Sequence, residues 1–170
     1  MPDLPRDALD RVRPAGLGGS MQTVSHLLRQ KGNEFFWVAP TDSVRKAIEL
    51  MATHHVGALL VMNPGSSPGS QQGSLVGIIS ERDYARKVIL KNRSSQDTPV
   101  SEIMTSPAVT VTLTDTVRHC MEMMTQHRFR HLPVIEAGRV VGILSIGDLV
   151  KAVIEEQTAQ IEQLERYIAG

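Results

Sequence analysis

Gly77-Ile78-Ile79-Ser80-Glu81-Arg82-Asp83 and Gly142-Ile143-Leu144-Ser145-Ile146-Gly147-Asp148 are two versions of one segment. In each, a glycine and two apolar residues lead to a serine, and an aspartate lies three positions beyond it. A strand that runs straight into a helix has this form, with serine as N-cap and an acidic residue at N3. Capping accounts for part of the pattern. The same residues also suit a ligand. An aspartate can accept both hydrogen bonds of a ribose diol, as an acidic residue does in dinucleotide folds. The serine hydroxyl and the free N–H groups of a helix start can hold phosphate, which leaves the apolar strand for a flat base.

The duplication extends outward from these segments. Residues 38–62 align with 111–135 at an offset of 73, and 10 of the 25 pairs are identical. Residues 76–89 align with 141–154 at an offset of 65, with 7 identities in 14. Chance would match about one position in sixteen. The drop in offset places eight extra residues in the first copy, within Asn63 to Ser74. That stretch is rich in Gly, Ser and Pro and reads as a surface loop between two strands.

Each copy reads as helix, strand, strand, helix. Thr41-Asp42 and Thr114-Asp115 precede the first helices as capping residues should. Val44, Ala47, Ile48 and Met51 form one apolar helix face, as do Val117, Cys120, Met121 and Met124. Short buried strands are expected at 57–62 and 131–135, and second strands at 75–79 and 140–144. One unit of this size buries too little surface to be secure alone, so two copies are expected to cover each other. The domain reading is a mobile tail over 1–20, an N-terminal helix within 21–34, the first repeat over 35–92 and a linker over 93–106. The second repeat follows over 107–155, and a helical extension over 156–170. The extension carries Ile161, Leu164 and Ile168, an apolar stripe that suits its own domain or a second subunit.

Composition narrows the function classes. Eighteen basic residues balance eighteen acidic ones, so no global charge draws the chain to nucleic acid or anionic membrane. Aromatic residues are only 4%, which leaves the core to aliphatic residues and methionine. The single cysteine, Cys120, permits no intrachain disulfide and fits a reducing compartment. No apolar run approaches the ~20 residues of a membrane span, and the first residues lack a secretory signal core. A cytoplasmic location is expected.

The doubled Gly-apolar-apolar-Ser-x-x-Asp pattern, with Arg130-His131-Leu132-Pro133-Val134 in the second copy, resembles tandem CBS (cystathionine β-synthase) domains. The likeness covers roughly residues 35–155. Glu81-Arg82-Asp83-Tyr84-Ala85-Arg86-Lys87-Val88 and Glu102-Ile103-Met104-Thr105 are similar to small stand-alone CBS-pair proteins. The resemblance implies an α/β chain of the α+β type, in which two β-α-β-β-α repeats pack with pseudo-two-fold symmetry between helical flanks. It implies a regulatory module without catalysis, which binds an adenine nucleotide between the repeats and acts on an unnamed effector protein as a homodimer. AMP is the first candidate ligand, followed by NAD, ADP, ATP and S-adenosylmethionine. Asp83 and Asp148 would hold ribose, and Ser80 and Ser145 ribose or phosphate. Phe36 and Val109, which are expected to start the first strand of each copy, would lie against the base. Arg82, Arg130 and His131 would neighbour phosphate. Gly57-Ala58 stands where the second copy has Arg130-His131, and Gly147 where the first has Arg82, so two equivalent sites are not expected.

Other functions find less support. Six histidines are present, but no Cys or carboxylate cluster completes a tetrahedral metal set. Cys120 matches Ala47 in the other copy and is expected as a small buried residue, not a nucleophile. Arg82, Arg86, Lys87, Arg128, Arg130 and Arg139 could form a basic patch, but Phe129 alone supplies no row of stacking aromatics for nucleic acid. A ligand-free interaction module remains the second function carried forward.

Overall fold

The computed structural model describes residues 22–65 and 73–170. The tail expected over 1–20 and the middle of the 63–74 loop lie outside the described residues. The elements run α1 (Val24–Lys31), β1 (Trp37–Val38), α2 (Val44–His54), β2 (Ala58–Met62), β3 (Leu75–Ser80) and α3 (Glu81–Tyr84), which continues as a π-turn over Ala85–Ile89. After a 3-10 turn at Val100–Glu102 come α4 (Val117–His127), β4 (His131–Glu136), β5 (Arg139–Ser145) and α5 (Ile146–Ala169).

The repeat is visible in the hydrogen bonds. β1 pairs parallel with β2, and β2 antiparallel with β3. In the second copy β4 and β5 pair antiparallel, and the counterpart of β1 shrinks to one parallel bridge, Val111 to Val134. Val38 and Val61 pair at the equivalent place in the first copy. Both hairpins shift register after the equivalent residues Val61 and Val134. β4 and β5 are joined by Ala137-Gly138, both at positive φ (49° and 75°), the twist that a two-residue hairpin turn requires.

The caps of α2 and α4 differ from the expected ones by a residue or two. Ser43 and Thr116 are the N-caps, each accepting from the backbone N–H three residues on. Asp42 and Asp115 instead accept from Ala39 N–H and Thr112 N–H, at 2.8 and 2.7 Å, and so tighten the turn that feeds the helix. Both helices end on a left-handed residue, His55 or Arg128.

The flanks are woven into the core. Val24 N–H donates to the Asp115 carbonyl and Val117 N–H to the Gln22 carbonyl, at 2.8 and 2.9 Å. The linker repeats this on the first copy, where Val100 N–H donates to Asp42 and Val44 N–H to the Thr98 carbonyl, again at 2.8 and 2.9 Å. Each copy is therefore completed by the segment that precedes the other one. Val24, Leu27 and Leu28 are buried with Val117, Cys120, Leu132 and Leu144. Val100 and Ile103 are buried with Val44, Met51, Leu59 and Ile79. A third cluster, with Leu60, Met62 and Val140 at its centre, joins the two sheets. β2 is consequently buried on both faces, which explains why Ala58-Leu59-Leu60-Val61-Met62 carries no polar alternation.

α5 is one uninterrupted helix of 24 residues. Leu149 and Ala152 in its first turns are buried, whereas Ile154, Ile161, Leu164 and Ile168 are exposed. No helix among the described residues is long and apolar enough to cross a membrane.

Candidate functional site

Both serine–aspartate segments fold into full capping boxes. Ser80 Oγ accepts from Asp83 N–H at 3.2 Å, and Asp83 Oδ2 accepts from Ser80 N–H at 2.9 Å. Ser145 and Asp148 do the same at 3.2 and 2.8 Å. The shared pattern thus fixes where β3 and β5 turn into helices. In the first copy it also holds Asp83 in the wall of a cleft between the copies.

A cavity of about 420 Å³ opens beside the first box. Ser80, Arg82 and Asp83 line it from one copy, and Val109, Arg130 and His131 from the other. Its volume falls in the usual range for a small-molecule site. Five cations, Arg82, Arg86, Lys87, Arg128, and Arg130, face two carboxylates, Glu81 and Asp83. A concave wall with that surplus concentrates field on an anion. Arg82 reaches across the cleft, where Nη1 donates to the Arg128 carbonyl at 3.1 Å. Lys87 Nζ bonds the Ile103 carbonyl at 2.9 Å and lies 3.1 Å from Asp83 Oδ1. Asp83 has spent Oδ2 on Ser80, so Oδ1, already paired with Lys87, is the oxygen with acceptor capacity left for a ligand.

His131 is part of the same lining. Burial disfavours its charged form and lowers its pKa below the ordinary 6.5; Lys31 and Arg130 push the same way, and Asp148 opposes them. A neutral imidazole beside a basic rim can donate to or accept from a ligand. Ile78 and Phe129 supply apolar wall. Among the described residues no group of three or more His, Cys, Asp or Glu converges to hold a metal ion.

The other candidate residues lie elsewhere. Ser145, Asp148 and Phe36 are not part of this cavity's lining. The Phe36 ring stacks on His54 with centroids 3.7 Å apart, and Phe36 sits just before β1, not in it. Val109 likewise precedes the Val111 bridge. Asp148 Oδ2 receives Lys31 Nζ at 2.6 Å. Burial acts to raise the Asp148 pKa, but bonds from Lys31 and from Ser145 N–H outweigh it and hold the carboxyl below its usual value. The sequence marks Arg86, Lys87 and Arg128 only as members of a possible basic patch and does not mark Lys31. For Arg86 and Lys87 a signal existed, since they lie three and four positions after Asp83 on one helical stretch. For Lys31, 117 residues from Asp148, there was none.

A cleft built by two copies of one unit, with a strand–serine–helix box in each, now has a match among known proteins. The model of the CBS domain matches residues 24–90 and 100–155. The chain belongs to the CBS-domain family. It is 40% identical over 159 residues to the Arabidopsis thaliana CBS domain-containing protein CBSX3, mitochondrial, covering 90% of this chain and 75% of that one. The crystal structure of the CBS domain NE2398 superposes with a TM-score of 0.71 at 46% identity, covering 79% of this chain and 99% of that one. The CBS pair of protein MJ0100, solved with 5′-methylthioadenosine and S-adenosyl-L-methionine, has a TM-score of 0.66 at 24% identity. It covers 81% of this chain and 99% of that one, and shows likeness of fold. In this CBS pair the match begins at Val24, inside α1, in keeping with the place of that helix in the core.

Proposed function

We propose that this CBS pair is a non-catalytic regulatory module that binds an adenine nucleotide in the Asp83 cavity and transmits its occupancy to a partner protein. The observation that carries this is the cavity itself: about 420 Å³, walled by both copies, with Asp83 in its lining and five cations against two carboxylates. AMP, ADP, ATP and NAD all present a ribose diol for Asp83 and anionic oxygens for Arg82, Arg128 and Arg130. S-adenosylmethionine offers the diol and one carboxylate but also carries a sulfonium, which the cationic wall disfavours. Because both copies contribute walls, a bound nucleotide has differential contact with any change in their spacing, the condition for shifting a conformational equilibrium.

Calorimetry and thermal shift with AMP, ADP, ATP, NAD and S-adenosylmethionine test the reading. Wild type is expected to bind, and Arg130→Ala and Asp83→Ala to bind at least ten-fold more weakly. Arg130→Ala leaves the capping box intact, so a fold defect in the Asp83 variant does not decide the result. Absence of binding by wild type, or equal binding by both variants, refutes it.

A second reading, an interaction module without ligand, is favoured by the capping boxes, which satisfy Ser80 and Asp83 internally. We propose a homodimer on either reading. Its support is the exposed face of α5, where Ile154, Ile161, Leu164 and Ile168 follow one another at seven, three and four residues, the seam spacing of paired helices. A monomeric mass at micromolar concentration would contradict it. The single buried thiol of Cys120 supports a reducing compartment such as the cytoplasm.

A further inference from the structure

Six residues of α5, Val150, Ile154, Gln157, Ile161, Leu164 and Ile168, follow one another at four, three, four, three and four. As a heptad this puts Ile154, Ile161 and Ile168 at a, and Val150, Gln157 and Leu164 at d. Five of the six are large apolar residues, and all five are exposed, from 41% for Val150 to 82% for Ile168. Gln157, the one polar member, is exposed as well. At 1.5 Å per residue the stripe runs along about 27 Å of helix. No side chain of α5 beyond Ala152 is buried. Among the described residues, the second half of the helix therefore has no core to rest on. A free helical arm of that length is marginal in water, and the stripe is the face by which it can be held.

We infer that α5 pairs with α5 of a second copy, parallel and in register, as a short two-stranded coiled coil whose one polar layer is Gln157 against Gln157. This deepens the homodimer reading above and rests on it. The seam itself selects the occupant. Isoleucine at every a position, with leucine rather than isoleucine among the d positions, favours two strands. A single polar residue within an apolar seam fixes the register. Orientation follows from what Gln157 would meet. In a parallel pair its amide lies beside the partner subunit's Gln157, and each can donate to the other. In an antiparallel pair a faces d, so Gln157 would meet the partner subunit's Ile161, and two amides would be covered without partners. Antiparallel pairing would bring Lys151 to the partner subunit's Glu165. Lys151 is already paired with Glu155 of its own helix at 3.9 Å. An exposed ion pair contributes less than a covered, unpaired amide costs. The parallel flanks bring no like charges together. Lys151, Thr158 and Glu165 at e lie opposite the partner's Ile146, Val153 and Gln160 at g, none of them charged.

Sedimentation equilibrium and cysteine cross-linking of the full chain test this. Wild type should be a dimer at micromolar concentration. Ile161→Asp/Leu164→Asp should raise its dissociation constant roughly a hundred-fold or more, because carboxylates would be buried unpaired. Both residues are exposed in the single chain, so the fold should survive, and circular dichroism melts check that it does. In a Cys120→Ala background, Ile168→Cys should oxidise to a covalent dimer. An equal mixture of Ile168→Cys and Val150→Cys should give only like-to-like disulfides by peptide mass mapping. A monomeric wild type overturns both the inference and the homodimer reading. A dimer that survives Ile161→Asp/Leu164→Asp unweakened overturns the inference and leaves a homodimer built on another face. A cross-link between positions 150 and 168 in the mixture overturns the parallel orientation, and a trimeric or tetrameric mass overturns the two-stranded seam.

Discussion

Gly77 and Gly142 are identical in sequence position within the two copies, yet alanine should cost far more at the first. A Cβ on Gly77 would lie 2.5 Å from the Thr105 carbonyl oxygen, which is main chain and cannot rotate away. Thr105 is held there by two backbone bonds with Ile78, at 3.0 and 2.9 Å. Relief of the clash means moving the linker off β3. Overpacking of this kind costs about 1–3 kcal/mol, and weakening two neutral hydrogen bonds adds about 1 kcal/mol. The smaller conformational entropy that alanine loses on folding returns about 0.5–1 kcal/mol. The net expectation for Gly77→Ala is a loss of about 1–3.5 kcal/mol. A Cβ on Gly142 meets Leu28 Cδ2 at 2.9 Å, the end of a side chain that can turn. An off-rotamer leucine costs about 0.5–1.5 kcal/mol, nearly offset by the same entropy gain, so Gly142→Ala should stay within about 1 kcal/mol of wild type. Urea unfolding at matched m-value reads the difference directly. Equal losses at the two positions, or a larger one at Gly142, would refute the placement of the linker against β3 and of α1 against β5.

Other outcomes follow from the same structure. Val24→Ala and Val100→Ala each empty a fully buried site in equivalent segments, and each should cost about 2 kcal/mol by denaturant unfolding; a negligible cost for Val24 would mean that α1 is not part of the core. His131 has a folded pKa below its ordinary value because it is buried. The unfolded chain therefore takes up the proton first, and stability should fall as pH drops below about 6.5, a slope that His131→Asn should flatten. Asp148 adds the usual carboxylate loss further down, below its ordinary 3.8. Burial, reinforced by Asp115, pushes the Cys120 thiol up to about 11. Folding then keeps it protonated while the unfolded thiol ionises from about 9, so stability should fall by about 2–3 kcal/mol between pH 9 and 11 relative to Cys120→Ala. At pH 8 the native thiol should react with a disulfide reagent only as fast as the chain opens; rapid labelling would place it at the surface.

Much of this CBS pair was legible in its sequence because the features concerned are local. Helix faces such as Val44, Ala47 and Met51 show in a period of 3.6. The buried strand Leu59-Leu60-Val61 shows as an apolar run, and the Ser-x-x-Asp boxes as a three-residue spacing. Duplication made each of these appear twice, at offsets that also located the longer loop of the first copy. The first helix caps were misplaced by a residue or two because Asp42 and Asp115 are good caps that the chain uses instead to close the preceding turn.

Tertiary structure alone decided the rest. Residues 22–28 and 98–105 look like a flank and a linker in the sequence, but each completes the core of the other copy. No spacing along the chain records that exchange, since its partners are 91 and 54 residues apart, as in Val24–Asp115 and Val44–Thr98 (chain separation carries no period of its own). The same holds for the cleft. Asp83 and Asp148 are equivalent as sequence and as capping residues, because a capping box needs only four consecutive residues. Their surroundings are set by whatever the fold brings across: Arg128 and Arg130 to the first, Lys31 to the second. The duplication specified two similar halves, and packing set a cavity beside the aspartate of one and a lysine ammonium against the aspartate of the other.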